Sequence, residues 1–196
     1  MSSLLFQASL ITLLLLPFLS FSTAYLVDID NDPIINGKSY YIVLVTSKSS
    51  HLTYTQKKGM CPLYITSKQT ENLPGTPVTI SSPLRNLHIT LNQRINLAFH
   101  GPTPCKKSLV WRQTLNPLAR KVYITTGGVE GDPSFSITKM DRSLLPTYIL
   151  KYWLPSDEDS SANVGLYEND GLLGLTEYPT TVSFKKAFNV IELSTS

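Results

Sequence analysis

Short apolar runs separated by turn residues recur along the chain from Leu26 onward. Some of them alternate apolar and polar positions, as at Ile95, Leu97 and Phe99, and this period of two is typical of strands with one buried face. No stretch keeps a helical period over three turns, so the pattern predicts an all-β chain. The other predicted strands lie at Tyr40–Val45, Pro62–Ile65, Val122–Ile124, Tyr148–Leu150, Tyr152–Trp153, Val164–Tyr167 and Val182–Phe184.

A weak internal repeat accompanies this pattern. Tyr-Tyr-Ile-Val begins at residue 40, Ile-Asn-Leu-Ala-Phe at residue 95 and Tyr-Ile-Leu-Lys-Tyr at residue 148, at spacings of 55 and 53 residues. The Asp170-Gly171 pair between apolar runs predicts a hairpin. We therefore expect about a dozen short strands in three repeats, closed into a barrel-like architecture.

One loop stands out because it has no glycine. Ser81–His88 follows the apolar run Pro77–Ile80, contains the rigid Pro83 and carries Arg85 near its apex. The alternation of Leu87, Ile89 and Leu91 predicts a second strand directly after the loop. The loop is either an ordinary solvated connection or a bait that places Arg85 in an acidic pocket of a partner.

Length and charge restrict the function classes. A chain of 196 residues requires only one domain, and 17 Lys+Arg against 14 Asp+Glu give a net charge of +3, too small to indicate nucleic acid or an anionic membrane as a partner. Thirteen prolines, ten glycines and ten tyrosines suit an all-β protein.

The first 24 residues resemble a secretory signal. Leu10–Leu19 is an apolar core that is short for a membrane span and is interrupted by Pro17, and Ser22-Thr23-Ala24 places small residues before a cleavage site. We expect cleavage after Ala24, which would leave residues 25–196 as a secreted, membrane-free domain; extracellular and vacuolar destinations both remain open.

The mature chain would keep two cysteines, Cys61 and Cys105. In an oxidising compartment an even count favours a disulfide, and this one would close a span that contains the Arg85 loop. On the loop-entropy model such a bridge is worth about 3–4 kcal/mol.

Several stretches carry a family resemblance. Leu26–Ile42, with Asp28, Pro33 and Asn36-Gly37, resembles the N-terminal signature of the plant Kunitz (soybean trypsin inhibitor) family. The resemblance continues through stretches that span nearly all of the predicted mature chain, namely Cys61–Tyr64, Pro77–Pro83, Val164–Gly171 and Val182–Ala187. It implies a β-trefoil of twelve strands in three pseudo-repeats.

The resemblance also assigns roles to residues. It implies a substrate-like reactive loop against a trypsin-like serine protease, with Arg85 as the P1 residue, Asn86 as P1′ and Asn36 as an internal brace. It implies that Cys61 and Cys105 form the family's first disulfide; the second is missing, because Leu154 stands where a cysteine is usual. The loop comprises Ser82, Pro83, Leu84, Arg85, Asn86 and Leu87.

Other functions have less support in the sequence. An enzyme is not expected, because no Gly-x-Ser-x-Gly element is present, and neither a cofactor nor a metal site is predicted around His51, His88 and His100. Gln-x-Trp repeats typical of sugar-binding trefoils are absent. Two alternatives stay open: an inhibitor of a cysteine protease or serine carboxypeptidase, and a non-inhibitory miraculin-like or storage trefoil. We expect a monomer with a role in plant defence.

Overall fold

The computed structural model describes residues 24–45, 50–69, 75–102, 104–105, 108–140, 145–155, 157 and 159–187. Within these ranges the chain forms twelve strands and no helix, which confirms the predicted all-β class. The strands are β1 Lys38–Leu44, β2 Ser50–Lys57, β3 Met60–Gln69, β4 Val78–Ser81, β5 Asn96–Phe99, β6 Trp111–Asn116, β7 Lys121–Thr126, β8 Phe135–Lys139, β9 Tyr148–Trp153, β10 Ser161–Leu166, β11 Leu173–Leu175 and β12 Thr181–Lys186.

The strand pairings close into a ring. The order β12-β9-β10-β11-β7-β3-β2-β1 returns to β12, because β1 pairs with β12 in the register Ile42↔Phe184. β4 and β5 extend from β1, β6 pairs with β7, and β8 pairs with β9. The closed architecture expected from the strand pattern is therefore present, and closure leaves the ring without exposed edges.

Alternating side chains fill the interior of this ring. In β1, Tyr40, Ile42 and Leu44 are buried while the residues between them are only half-buried, as the period-two pattern predicts. Aromatic rings form a continuous series in the core, with centroid distances of 5.1, 6.1 and 5.1 Å along Phe99, Trp111, Phe135 and Tyr152. These contacts connect β5, β6, β8 and β9 across the middle of the fold.

Four of the observed strands were not predicted from the sequence pattern: β2, β6, β8 and β11. The stretch SHLTYTQK in β2 contains one fully buried apolar residue, Leu52, and WRQTLN in β6 contains one, Trp111. Both strands are held mainly by backbone pairing with β3 and β7, which leaves little periodic signal in the sequence.

The strand predicted directly after the loop, through Leu87, Ile89 and Leu91, is wrong. Residues 87–91 lie between β4 and β5 and form no strand, since β5 begins only at Asn96. The segment makes isolated bridges to two different partners, Ile35↔His88 and Tyr25↔Thr90, instead of a continuous ladder with one.

The predicted disulfide is present. Cys61 in β3 is bonded to Cys105, with 6.0 Å between their Cα atoms, and the bridge spans 44 residues that contain the Arg85 loop. The predicted signal segment up to Thr23 lies outside the described residues. In the described part of the chain no helix is long and apolar enough to cross a membrane.

Candidate reactive loop

The loop after β4 presents a continuous run of exposed residues. Residues 83–87 are all exposed, with 53% of Leu84 and 66% of Leu87 accessible to solvent. Among the described residues, the Arg85 guanidinium has no hydrogen-bond or ion-pair partner. The long basic side chain of Arg85 is thus held outside the barrel, on a stretch whose other residues are uncharged, where it is open to a partner's pocket.

Asn36 lies directly beneath this loop, in the turn that precedes β1. Gly37 follows with φ +80°, a conformation that glycine adopts without steric cost. The Gly37 N–H donates to the Ile80 carbonyl at 2.8 Å, and β1 pairs with β4 through Ser39↔Thr79. The turn is therefore fixed to the end of the strand from which the loop leaves.

The Asn36 carboxamide bonds to backbone on both sides of Arg85. Its Nδ2 donates to the carbonyls of Leu84 at 3.0 Å and Asn86 at 3.1 Å, with a longer contact of 3.3 Å to Ser82. Its Oδ1 accepts from the Ser82 N–H at 2.9 Å. One half-buried side chain thus satisfies backbone groups immediately before and immediately after the residue with the free basic side chain.

The loop also stabilises itself on its amino side. The Leu84 N–H donates to Ser82 Oγ at 3.2 Å, and Ser82 Oγ donates to the Arg94 carbonyl at 3.4 Å. Together with Pro83, whose ring limits φ, these contacts restrict the approach to Arg85. All of these contacts come from the chain itself.

The carboxyl side is bonded through the backbone. The Asn36 N–H donates to the Leu87 carbonyl at 2.9 Å, and Ile35 bridges to His88. His88 is half-buried, because its ring packs edge-on against Tyr25 with 5.4 Å between centroids, while Leu87 is the exposed neighbour.

A buried tyrosine supports the segment that carries Asn36. The Ile35 N–H donates to the Tyr40 hydroxyl at 3.0 Å, and Tyr40 is 1% exposed. Burial raises the pKa of Tyr40, as do the carboxylates of Asp28 and Asp32, while the hydrogen bond from Ile35 opposes the rise. The neutral phenol is therefore the form that holds this segment at neutral pH.

A cleft of about 940 Å³ lies beside the loop. It is lined by Ser82 and Pro83, by Ala98 of β5 and by Val129 and Glu130 between β7 and β8, whereas residues 84–87 lie outside its lining. In the described ranges, no group of three or more His, Cys, Asp or Glu side chains could hold a metal ion. His51 lies in β2 and His100 follows β5.

The structure therefore brings Asn36 into contact with four of the six predicted loop residues, Ser82, Leu84, Asn86 and Leu87, while the disulfide joins Cys61 of β3 to Cys105. Tyr25 and Tyr40 are additional supports that the sequence did not reveal. Both lie within or next to the N-terminal stretch that resembles the Kunitz signature, and that position was their only signal.

Comparison with known proteins shows the family of this chain. Residues 26–186 match the legume Kunitz family model, described as trypsin and protease inhibitor. Trypsin inhibitor 2 of Psophocarpus tetragonolobus is 29% identical over 175 residues, which cover 83% of this chain and 96% of that inhibitor.

Two solved structures share the fold. Alocasin, a protease inhibitor from giant taro (Arum macrorrhizon), superposes with a TM-score of 0.71 at 25% identity, over 84% of this chain and 100% of alocasin. Soybean trypsin inhibitor, in its complex with porcine pancreatic trypsin, gives a TM-score of 0.70 at 19% identity over 84% of this chain and 99% of the matched chain. The chain belongs to the legume Kunitz family of trypsin and protease inhibitors.

Proposed function

We propose that this protein inhibits trypsin-like serine endopeptidases through the loop Ser82–Leu87, with Arg85 as P1 and Asn86 as P1′. The observation that carries the proposal is the placement of the Asn36 amide, 3.0 Å from the Leu84 carbonyl and 3.1 Å from the Asn86 carbonyl. A brace of this kind fixes the backbone around one peptide bond and leaves the side chain of Arg85 free.

Recognition would follow substrate mimicry. Arg85 enters a specificity pocket with an acidic floor, where its guanidinium makes charge-assisted hydrogen bonds to a carboxylate. Leu84 and Pro83 occupy the adjacent pockets on the amino side, and the Arg85–Asn86 bond lies against the catalytic serine. Because the loop is already ordered, little conformational entropy is lost on docking.

Slow hydrolysis follows from the same contacts. When the protease breaks the Arg85–Asn86 bond, Asn36 still holds the carbonyls of Leu84 and Asn86, so the two new ends cannot separate freely. The leaving amine stays close to the acyl group and re-forms the bond, since a high effective concentration favours the reverse reaction. The protein is then an inhibitor and not an enzyme.

The fold behind this loop is proposed to be a β-trefoil. The three sequence echoes begin at residues 40, 95 and 148, and these positions fall in β1, one residue before β5 and at the start of β9, four strands apart each time. Twelve strands divided in this way make three repeats of four. The reactive loop follows the last strand of the first repeat.

We also propose that residues 1–24 direct secretion, that residues 25–196 act outside the cytosol as a monomer, and that the role is in defence. The Cys61–Cys105 bridge supports an oxidising compartment.

The experiment is a titration of bovine trypsin, with papain in parallel, by protein purified from plant cells that express the full chain. Stoichiometric trypsin inhibition that Arg85→Ala abolishes supports the proposal. Arg112→Ala is the matched control, because Arg112 is also exposed but lies in β6. Equal trypsin inhibition by wild type and Arg85→Ala would refute it, and inhibition of papain alone would point to a cysteine protease.

A further inference from the structure

Residues 87–91, on the carboxyl side of the Arg85–Asn86 bond, are held by two separate segments of the chain. The Leu87 carbonyl accepts from the Asn36 N–H at 2.9 Å and His88 bridges to Ile35, while the Ile89 carbonyl accepts from the Leu26 N–H at 2.9 Å. The segment that would become the leaving group of a protease is thus fixed on one side by residues 34–36 and on the other by residues 25–27.

The three segments meet in a closed triangle of backbone hydrogen bonds. The Leu26 N–H donates to the Ile89 carbonyl at 2.9 Å, the Ile89 N–H to the Ile34 carbonyl at 2.9 Å, and the Ile34 N–H to the Leu26 carbonyl at 2.8 Å. All three side chains are at most 1% exposed. In this cyclic set no segment can move away without breaking two of the three buried bonds, which makes this point rigid.

Two buried tyrosines hold the outer segments of the triangle. Tyr148 Oη accepts from the Val27 N–H at 3.2 Å, and Tyr40 Oη accepts from the Ile35 N–H at 3.0 Å. Both rings are 1% exposed. Residues 25–27 are therefore attached to the core independently of their contact with the segment after the loop.

Tyr25 is the member of this arrangement that is most open to solvent. Its ring meets the His88 ring at a centroid distance of 5.4 Å and an interplanar angle of 71°, and 49% of the residue is exposed. His88 follows Asn86 by two positions. The Tyr25–His88 contact can therefore be changed without opening the core.

We propose that residues Tyr25–Val27 form a second brace, distinct from Asn36, that positions the leaving segment of the reactive site, with Tyr25 acting through His88. This proposal rests on the proposed function. During hydrolysis the serine oxygen of the protease attacks the Arg85 carbonyl carbon, the Arg85–Asn86 C–N bond breaks, and the Asn86 amine takes a proton. In the reverse step that amine loses the proton, attacks the acyl ester and expels the serine oxygen, which is protonated again.

The second brace acts on the balance between these two steps. With residues 87–91 clamped, the Asn86 amine stays beside the ester and water has less opportunity to complete hydrolysis. When the Tyr25–His88 contact is weakened, the Asn86 amine moves away from the acyl ester more often. Water then hydrolyses the ester before the Arg85–Asn86 bond can re-form. Initial binding of the protease depends on residues 82–86 and changes less.

The test measures how fast catalytic trypsin converts the inhibitor to the form cut between Arg85 and Asn86, together with the inhibition constant and the thermal midpoint. Tyr25→Ala and His88→Ala should each raise the rate of cutting about two- to tenfold, the range expected from the loss of one edge-to-face ring pair. Tyr25→Phe keeps the ring contact and should restore the wild-type rate. Tyr178→Ala removes a tyrosine that is 82% exposed and lies between β11 and β12, so it should have no effect.

Failure of this proposal differs from failure of the proposed function. If wild type inhibits trypsin and Arg85→Ala does not, but Tyr25→Ala and His88→Ala are cut at the wild-type rate, the second brace does not exist and the proposed function stands. The positioning role is also refuted if only those variants with a lowered thermal midpoint are cut faster than wild type. The same holds if Tyr25→Phe is cut as fast as Tyr25→Ala. If Arg85→Ala inhibits as well as wild type, both proposals fall.

Discussion

The amide nitrogen of Asn36 lies 3.0 Å from the carbonyl oxygen of Leu84, a residue 48 positions further along the chain. The same nitrogen lies 3.1 Å from the Asn86 carbonyl, so Arg85 is spanned from below by one side chain. Because the exposed loop is hydrogen-bonded on both sides of this one residue, it holds Arg85 in a fixed position. An ordinary solvated connection would not require this arrangement.

Asn36→Asp tests the brace with almost no change of shape. A carboxylate still accepts from the Ser82 N–H, but it cannot donate to the three carbonyls that Nδ2 contacts. The NH2 group has two hydrogens to share among these carbonyls, so about two hydrogen bonds are lost; at about 1 kcal/mol each, we expect the trypsin inhibition constant to rise about ten- to a hundredfold. The thermal midpoint should fall little, because the side chain is only half-buried.

Asn116→Asp is the matched control for this change. The Asn116 side-chain oxygen accepts from the N–H groups of Leu118 and Ala119, and an aspartate preserves both bonds. Inhibition should be unaffected. An Asn36→Asp variant that inhibits as tightly as wild type would show that the loop does not depend on the carboxamide.

Removal of the disulfide should affect stability more than inhibition. In the double variant Cys61→Ser with Cys105→Ser, the 44-residue span is no longer closed in the unfolded chain, and the free energy of unfolding should fall by about 3–4 kcal/mol. The Asn36 contacts do not involve either cysteine, so the folded variant should still inhibit trypsin. Denaturant unfolding and a titration of trypsin measure the two effects, and a stable but inactive double variant would be the opposite result.

Tyr123 should make the protein sensitive to alkaline pH. Burial and, next, the 2.7 Å hydrogen bond to Asp170 Oδ2 raise its pKa to about 12. Because the unfolded phenol loses its proton near pH 10 and the folded one does not, stability is complete below pH 10 and declines as the pH rises from about 10 to 12.

The Tyr123→Phe variant cannot titrate at this position. Its free energy of unfolding should decline less steeply over that interval, although Tyr40 and Tyr148, whose pKa values are also raised by burial, keep part of the slope. Urea unfolding at several pH values between 9 and 12 compares the two proteins. Parallel curves would mean that Tyr123 ionises equally easily in both states.

Gly174 should not tolerate a side chain. A Cβ atom there would lie 2.3 Å from Cε2 of Tyr167 and 2.5 Å from the Val122 carbonyl oxygen. The Tyr167 ring cannot retreat without cost, because its hydroxyl donates to the Leu175 carbonyl at 2.6 Å. We expect Gly174→Ala to lower the free energy of unfolding by about 2–3 kcal/mol. Thr55→Ala, at an exposed position of β2, should change it by less than about 0.5 kcal/mol.

The sequence was most informative where strands bury several alternating side chains. β1, β5 and β9 all have this pattern; their spacing suggested three repeats, and the number of short strands suggested the closed architecture. β2 and β6 were missed because each buries a single large apolar residue and is held by its neighbour's backbone. The alternation at Leu87 and Ile89 was misleading, because that segment bridges two different partners.

The candidate site was only partly accessible from the sequence. Arg85 and Asn36 were assigned through family resemblance, and their roles stay predictions. The disulfide was predicted from the cysteine count and is present. The contacts of Tyr25 with His88 and of Tyr40 with Ile35 depend on the tertiary packing of isolated bridges, and no local pattern indicates them.

Exchange of residue 85 tests the central claim most directly, because a gained activity cannot result from unfolding. Wild type, Arg85→Lys and Arg85→Leu are titrated against trypsin and chymotrypsin. Arg85→Lys should still inhibit trypsin. Arg85→Leu should lose at least about a hundredfold in trypsin affinity, equivalent to ~2.7 kcal/mol, and should gain inhibition of chymotrypsin. If Arg85→Leu inhibits trypsin as tightly as wild type and does not inhibit chymotrypsin, Arg85 is not the P1 residue that enters the specificity pocket of the protease.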